Sequence, residues 1–381
     1  MKSNRSPIVE IHGTGVHNRG AELMAIAISE KIWSVYPNAK IAVPSTFGLQ
    51  NDIKRYGFTT TLALEIKRKR PLYSLLIAVL TGNIIHPREV DVVLDASGFA
   101  FSDQWGVEHA KRLSDKLNNP HRKKQSLILL PQALGPFNNS AVKEYSKLVF
   151  DRASLVFARD TQSHMHASKV ISDLSNLQQS PDFTVNIKSI EKKSIELPEK
   201  FVAIVPNARM LDKMDNAEDY LAFLRHAVDI IKARNITPVF VVHDGYQDRE
   251  VVSQLGEKYQ NVTIIQDQDP RVLKWVLGES EFVVGSRFHA LVSALSQGVL
   301  CIGVGWSHKY PELFNDFCNS EGLISDMKDL GALEGLVSKY SDKDYKKVKS
   351  EKVISAANQI KKQVDDMWDS VINQIHMKIG N

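Results

Sequence analysis

The stretch Glu281-Phe282-Val283-Val284-Gly285-Ser286-Arg287-Phe288-His289-Ala290-Leu291-Val292-Ser293-Ala294-Leu295 predicts a buried strand, a short turn and a helix in direct succession. Arg287 and His289 fall at the turn, where free backbone N–H groups and the positive end of the helix dipole favour anions. An arginine offers a planar fork to a phosphate or carboxylate, and a histidine exchanges protons near neutral pH. The stretch therefore predicts an anion site with a proton donor. The structural alternative is an arginine paired with a neighbouring acid and a histidine packed in the core.

The same alternation of short apolar runs and amphipathic stretches continues along most of the chain, which predicts parallel sheets covered by helices. Ten runs are predicted to be strands, five in each half of the chain: 8–11, 41–43, 90–94, 127–130, 155–157, 201–205, 238–242, 262–265, 282–284 and 300–304. The polar stretch 189–200 has the composition of a linker. We therefore expect two doubly wound α/β domains, 1–188 and 200–381, facing each other across a cleft, the second ending in amphipathic helices.

The composition is that of a soluble globular enzyme. The chain has 381 residues, 43% of them hydrophobic and 24% charged, with a formal net charge of +4. It shows no basic stripe with interleaved aromatic residues, so we expect no nucleic-acid partner. Cys301 and Cys318 are the only cysteines, too few for a disulfide framework or a cysteine-rich zinc site, and they indicate a reducing compartment. We therefore expect a cytoplasmic protein.

One segment leaves membrane contact open. The basic cluster Lys67-Arg68-Lys69-Arg70 precedes the apolar run 72–80, which is too short to span a bilayer. A solvated helix end followed by a core helix is one interpretation. The other is that 67–80 rests on the inner face of an anionic membrane, as a lipid-linked substrate would favour.

Small and acidic residues follow the strands predicted in the first half. Gly15, Asn18 and Gly20 follow the first strand, where glycines let a ligand approach the backbone, but their spacing is not a dinucleotide fingerprint. Gly98 and Asp103 follow a later strand, and Asp103 is a helix cap or a general base.

Two further turns end strands of the first half, one at Gly135 and one at Ala158-Arg159-Asp160, where arginine and aspartate can pair with each other.

Cationic side chains follow strands of the second half. Arg209 comes after the first of these strands, and Lys309 lies twenty residues beyond His289. We expect Arg209, Arg287 and Lys309 to converge in a cationic pocket suited to a small phosphorylated acid. The histidines show no zinc-hydrolase spacing, and His164 and His166 do not share a helix face, so no metal site is predicted.

Taken together, these segments resemble those of the polysaccharide pyruvyl transferases. The resemblance rests on the order and spacing of motifs between residue 8 and about 317. The motifs are the turn with Asn18 and Gly20, the strand 91–94 leading to Gly98 and Asp103, the turn 132–137, Ala158-Arg159-Asp160, and Ser286-Arg287-Phe288-His289 with Gly298 and Lys309. The family usually carries a glycine triplet where this chain has Ala96-Ser97-Gly98, and the side chains of Ala96 and Ser97 could narrow the acceptor side or reshape the turn.

The resemblance implies two Rossmann-like domains similar to GT-B glycosyltransferases, with the acceptor side in the first domain and the donor side in the second. It also implies transfer of a pyruvyl group from phosphoenolpyruvate onto two hydroxyls of one sugar as a ketal, without a metal or organic cofactor. Arg209 and Arg287 would hold the donor, and His289 would be the general acid. The acceptor is then a polysaccharide sugar, free or on a lipid-linked precursor.

These residues suggest a mechanism in which Lys309 assists the arginines, His289 protonates the donor's methylene carbon and Asp103 deprotonates the attacking hydroxyl. Two other classes of function remain open. One is a nucleotide-sugar glycosyltransferase of the same architecture, which would release a nucleoside diphosphate. The other is a non-catalytic glycan-binding or assembly protein, which would not need His289.

Overall fold

The computed structural model describes residues 5–62, 84–213, 216–305 and 307–380, which form two compact units. Unit 1 contains the described residues within 1–17, 24–183 and 363–381, and unit 2 contains those within 18–23 and 184–362. The division after Phe183 lies close to the predicted one, but two segments depart from it. Residues 18–23 group with unit 2, and residues 363–381, predicted to lie in the second domain, group with unit 1.

Unit 1 contains an eight-stranded sheet in which all neighbouring strands are parallel. In spatial order the strands run β4-β3-β2-β1-β5-β6-β7-β8. Their bounds are β1 Ile8–His12, β2 Lys40–Val43, β3 Thr59–Thr61, β4 Ile84–Ile85, β5 Val92–Asp95, β6 Ser126–Gln132, β7 Leu155–Ala158 and β8 Leu177–Gln179. The central strands are buried on both faces, and their sequences are mostly apolar, as is typical of parallel strands covered by helices.

Unit 2 contains a six-stranded parallel sheet in the order β11-β10-β9-β12-β13-β14. Its strands are β9 Phe201–Val205, β10 Thr237–Val242, β11 Thr263–Gln266, β12 Val283–Gly285, β13 Cys301–Val304 and β14 Leu323–Ile324. The sequence thus predicted two parallel α/β domains correctly.

Each of the ten predicted strands overlaps a strand of the structure. Four further strands among the described residues were not predicted: β3, β4, β8 and β14, of two or three residues each. All four lie at or next to the edge of a sheet. Such short runs carry too few residues to show a period of two.

Thirteen α-helices fall within the described residues. Their bounds are α1 Arg19–Val35, α2 Gln50–Arg55, α3 Glu108–Leu117, α4 Ser140–Arg152, α5 Thr161–Ser168, α6 Ala208–Lys213, α7 Ala217–Ala233, α8 Gly245–Ser253, α9 Pro270–Gly278, α10 Phe288–Leu295, α11 Lys309–Asp316, α12 Leu330–Ser341 and α13 Lys343–Gly380. Short 3-10 helices lie at Pro87–Glu89, Pro120–Arg122, Leu174–Asn176, Phe183–Asn186, Glu257–Tyr259 and Ser320–Gly322.

Side-chain caps fix several helix starts. Asp269 accepts a hydrogen bond from the backbone of Arg271 at 2.9 Å, and Pro270 occupies the first position of α9. Asn216 caps α7 in the same way, by accepting from the backbone of Glu218 at 3.1 Å. These are the residue types that satisfy the unpaired N–H groups of a first turn, so local sequence determines where each helix begins.

Each sheet reverses its direction of growth once. In unit 1 the chain builds outward from β1 to β4 and then returns to place β5 on the other side of β1. In unit 2 the corresponding pair is β9 and β12. The carboxyl ends of such strand pairs leave a crevice that ligands use in open α/β sheets.

The end of α13 belongs to the core of unit 1. Trp368 contacts Phe183 edge to face, with ring centroids 5.8 Å apart, and Val364, Val371 and Ile375 are fully buried. These apolar residues repeat at helical spacing, so they form the predicted amphipathic face. The burial of this face explains why residues 363–381 group with unit 1.

The predicted membrane-contact segment 67–80 lies outside the described residues. Within the described ranges, no helix combines the length and apolar character that a bilayer span requires.

Unit 1 contains a cluster of charged side chains around the buried Glu10. Glu10 on β1 is fully buried, and its carboxylate lies 2.6 Å from Arg122, 3.0 Å from Lys116 and 2.9 Å from His12. Burial would raise the pKa of Glu10, but the hydrogen bond from His12 and the charges around it hold the pKa well below its ordinary value. The carboxylate is therefore ionised and neutralises the buried Arg122.

We predict that Glu10→Gln lowers the free energy of unfolding by about 3 to 5 kcal/mol at pH 7, because it leaves the Arg122 guanidinium buried without its counter-charge. A lowered carboxyl pKa stabilises the fold above the ordinary glutamate value, and this contribution disappears as the pH falls through the folded value. The difference between the two proteins should therefore shrink in acid. Urea unfolding at pH 7 and pH 4 measures both effects.

The exposed Glu144 on α4 provides the control, since Glu144→Gln should change the free energy of unfolding by less than about 0.5 kcal/mol. Equal stability of the Glu10→Gln and Glu144→Gln variants would show that the buried cluster does not stabilise unit 1.

Candidate functional site

The turn between β12 and α10 is held by three hydrogen bonds within unit 2. The Ser286 carbonyl accepts from Asn207 Nδ2 at 2.9 Å and from the Tyr310 hydroxyl at 2.8 Å. The Ser286 hydroxyl lies 3.0 Å from that of Tyr220, which is fully buried. Because β9 and β12 are neighbours at the reversal point, the turn that follows β9 and the turn that carries Arg287 are linked directly.

Arg287 is buried between two carboxylates. Its Nε donates to Asp248 at 2.9 Å, a terminal nitrogen also bonds Asp248, and the other terminal nitrogen lies 2.8 Å from Asp244. Burial would lower the pKa of Arg287, but the charges of Asp248 and Asp244 raise it above its ordinary value. The guanidinium is therefore permanently charged and rigidly oriented.

Asp248 on α8 is the residue that joins these turns. Its fully buried carboxylate accepts from the backbone of Ala208 at 2.9 Å and of Asp244 at 3.0 Å, in addition to Arg287. The starts of α6 and α8 and the Arg287 side chain thus share one acceptor.

His243 follows β10 and is buried beside this cluster. Burial, and then the positive charge of Arg287, lower the pKa of His243 well below its ordinary value. Its imidazole is therefore neutral near pH 7, unlike the side chain of Arg287.

The predicted residues Asn18 and Gly20 join Arg287 and His289 within unit 2. Asn18 caps α1, since its Oδ1 accepts from the backbone of Ala21 at 3.0 Å, and its Nδ2 lies 3.4 Å from Asp244. Gly20 lies against His289 so closely that a Cβ at this position would be 2.3 Å from the imidazole Nδ1. Only glycine fits there without moving the ring.

Lys309 begins α11, and its Nζ lies 5.3 Å from the ring centroid of Phe288 and 5.3 Å from that of Tyr310. It therefore lies next to the Arg287–His289 turn, held by aromatic faces. Arg209 is at the same edge of the sheet, on the first turn of α6, but its side chain is 46% exposed and pairs with Asp212 at 3.2 Å.

The predicted cationic pocket is thus less positive than expected. Asp244 and Asp248 compensate Arg287, and the Arg209 guanidinium pairs with Asp212 at the surface. An acidic partner for Arg287 was one interpretation of the sequence, which did not single out Asp244 or Asp248. His243 was not predicted either, although two polar residues directly after the run 238–242 were a usable signal.

The remaining predicted residues lie in unit 1. Gly98 and Gly135 adopt positive φ values of 70° and 76°, as glycine permits. A Cβ on Gly15 would be 2.5 Å from the His17 ring.

The Asp103 carboxylate accepts from the backbone of Asn138 at 2.7 Å and of Asn139 at 3.1 Å, before α4. Asp103 thus holds the turn before α4, whose own N-cap is Asn139.

Arg159 and Asp160, for which mutual pairing was considered, have different partners. Arg159 lies 3.3 Å from Asp182, and Asp160 caps α5 by accepting from the backbone of Ser163 at 2.7 Å. Throughout the described ranges, no cluster of three His, Cys, Asp or Glu side chains has the geometry of a metal site.

Similar solved structures share this fold over nearly the whole chain. UDP-GlcNAc 2-epimerase from Neisseria meningitidis bound to UDP-GlcNAc has a TM-score of 0.61 at 14% identity, covering 96% of this chain and 100% of the other. HepE from Anabaena in complex with UDP-glucose gives 0.58 at 12% identity, with the same coverage. A glycosyltransferase from Rickettsia africae gives 0.53 at 12% identity, covering 97% and 99%. The likeness establishes a GT-B-like fold of two Rossmann-like domains.

Comparison with curated proteins gives no match. The model of the family described as polysaccharide pyruvyl transferase matches residues 18–308, which include Asn18, Gly20, Arg209, Arg287 and His289. This match covers about three quarters of the chain and confirms the resemblance seen in the sequence, so the chain belongs to the polysaccharide pyruvyl transferase family.

Proposed function

We propose that this transferase moves a pyruvyl group from phosphoenolpyruvate onto two hydroxyls of one sugar in a polysaccharide or its lipid-linked precursor, forming a ketal. The observation that carries the proposal is the turn at Arg287 and His289, where a fixed guanidinium and an imidazole pressed against Gly20 stand two residues apart. An anionic donor that must be protonated on carbon needs both groups.

In the proposed complex, Arg287 and Lys309 contact the donor's phosphate and carboxylate. Arg287 is held by Asp248, so binding needs no reorganisation of its side chain. Lys309 lies against Phe288 and brings an ammonium to the same turn. Arg209 contributes when its side chain leaves the exposed pair with Asp212, which holds it weakly.

The chemistry begins with a proton from His289 to the methylene carbon of phosphoenolpyruvate, which makes C2 electrophilic. A sugar hydroxyl then attacks C2, phosphate leaves, and a second hydroxyl of the same sugar closes the ketal. One hydroxyl proton balances the new methyl group, and the other leaves with phosphate. The scheme uses no metal or organic cofactor. We also propose a cytoplasmic location, with peripheral membrane contact if the acceptor is lipid-linked.

A nucleotide-sugar glycosyltransferase is the second candidate, because solved structures with this fold contain UDP-glucose or UDP-GlcNAc. The two reactions release different products. Phosphate released from phosphoenolpyruvate supports our proposal, and UDP released from a sugar nucleotide supports the alternative.

We predict that His289→Ala lowers turnover of phosphoenolpyruvate by about 10²- to 10⁴-fold, equivalent to about 3 to 5 kcal/mol of barrier, because the general acid is lost. The affinity for phosphoenolpyruvate should change much less. Phosphate release and calorimetric binding measure the two quantities separately.

His226→Ala is the matched control, since His226 also lies in unit 2 and pairs with Glu334 at 3.2 Å. It should keep turnover within about twofold of the wild type. A His289→Ala variant that is as active as this control would remove His289 from the mechanism.

We further predict that Asp244→Asn strengthens phosphoenolpyruvate binding by about tenfold, or about 1.4 kcal/mol, because it removes a negative charge 2.8 Å from the Arg287 guanidinium. Calorimetry of the free energy of binding measures the effect. Asp326→Asn, an exposed change in the same unit, should leave the affinity unaltered.

Unchanged or weaker binding by Asp244→Asn would mean that the donor does not lie beside Arg287. If neither the wild type nor the variant binds phosphoenolpyruvate, the proposed donor itself is wrong.

A further inference from the structure

Unit 1 carries a second polar group at its own reversal point, between β1 and β5. His12 ends β1 and Asp95 ends β5, and the two are paired in the sheet register. Three side chains lie close together at the end of β5: Asp95, Ser97 and His109. We call them the Ser97 group. Its place at the carboxyl ends of the two strands matches that of the Arg287 turn in unit 2.

The geometry of the Ser97 group is defined by short contacts. The Ser97 hydroxyl lies 2.8 Å from His109 Nε2, and the same nitrogen lies 3.6 Å from Asp95 Oδ2. The Ser97 backbone N–H donates to Asp95 Oδ1 at 3.2 Å. Phe101 contacts the His109 ring edge to face at 5.0 Å between centroids and fixes its orientation.

The Ser97 group is partly exposed at His109, and polar atoms line its buried side. The His109 side chain is 27% exposed, whereas Asp95 is fully buried. Among the described residues, Gln132 Oε1 is a buried oxygen that makes no hydrogen bond. Gln132 Nε2 lies 3.3 Å from Asp95 Oδ1, so this oxygen belongs to a side chain that contacts the Ser97 group. An unsatisfied buried oxygen is costly and indicates a polar ligand.

A serine nucleophile is not what this arrangement provides. A catalytic triad uses one imidazole nitrogen for the serine and the other for the acid, whereas here Nε2 faces both. Burial would raise the pKa of Asp95, but the hydrogen bond and charge of His109, with the charge of His12, lower it to about 2. The ionised carboxylate can therefore stabilise a protonated His109.

We propose that the Ser97 group binds a hydroxyl of the acceptor saccharide and relays its proton to His109. This inference rests on the proposed pyruvyl transfer and supplies the base that Asp103, engaged with backbone N–H groups, does not.

The acceptor hydroxyl gives its proton to Ser97 Oγ while the Ser97 proton passes to His109 Nε2, and the electron pair left on the sugar oxygen makes it the nucleophile of the proposed transfer. The imidazolium is stabilised by Asp95. It then releases the proton to solvent, from which His289 is reprotonated.

The binding test uses methyl glycosides of galactose, glucose and mannose, observed by saturation-transfer NMR with the full chain. Wild type should transfer saturation to at least one glycoside, and Ser97→Ala and His109→Ala should lose at least about four fifths of that signal. His376→Ala, an exposed histidine of the same unit, is the control and should retain it. Equal signals in all four proteins, or none with the wild type, would overturn the proposal.

The turnover test adds phosphoenolpyruvate and follows phosphate release with His109→Gln. Glutamine keeps a polar contact but accepts no proton, so saccharide binding should remain while turnover falls by about 10²-fold or more. The KM for phosphoenolpyruvate should be unchanged. Turnover within about twofold of the wild type would refute the relay.

The two proposals fail in different ways. Saccharide binding that depends on Ser97, without consumption of phosphoenolpyruvate, would reject the proposed donor and leave the saccharide site standing. Consumption of phosphoenolpyruvate that is indifferent to Ser97 and His109 would reject the relay alone.

Discussion

The hydrogen bonds that the buried Asp248 carboxylate accepts are the interactions on which the arrangement of the turns in unit 2 depends. The carboxylate accepts from two backbone N–H groups and from Arg287, so it ties the turns after β9 and β10 to the turn after β12. Hydrogen bonds to a charged acceptor are stronger in the low-dielectric interior of a protein than in water. Without this carboxylate, the Arg287 side chain would lose its fixed direction, and two helix starts would lose an acceptor. The position of the guanidinium is therefore a property of the scaffold.

Both units place their polar chemistry at the same topological point. Where the order of strands reverses, the connections leave in opposite directions and the strand ends remain uncovered. Unit 2 fills this point with Arg287 and His289, and unit 1 fills it with Asp95, Ser97 and His109. A guanidinium and an imidazole suit the proposed anionic donor, whereas a hydroxyl, an imidazole and a buried amide oxygen suit the proposed saccharide. The two proposed roles differ because the side chains differ on equivalent frameworks.

The sequence predicted much of the fold because the long apolar strands are locally encoded. Phe201–Val205 and Val283–Gly285 are recognisable from composition alone, whereas Leu323–Ile324 is a strand only because β13 lies beside it. The same distinction applies to the site. The strand-to-helix turn identified Arg287, but the partnership with Asp248 joins residues 39 positions apart in sequence. Nor did spacing link Ser97 with His109, because that contact joins residues 12 positions apart across an irregular segment.

The long terminal helix has a practical consequence for dissecting the molecule. Its 38 residues extend about 57 Å, and residues from 363 onward complete the core around Phe183. A fragment ending near residue 183 would expose that aromatic surface and invite aggregation. Unit 1 should therefore be expressed together with the part of α13 from residue 363 onward. This part of the helix can be joined to residue 183 by a connector or added as a separate peptide.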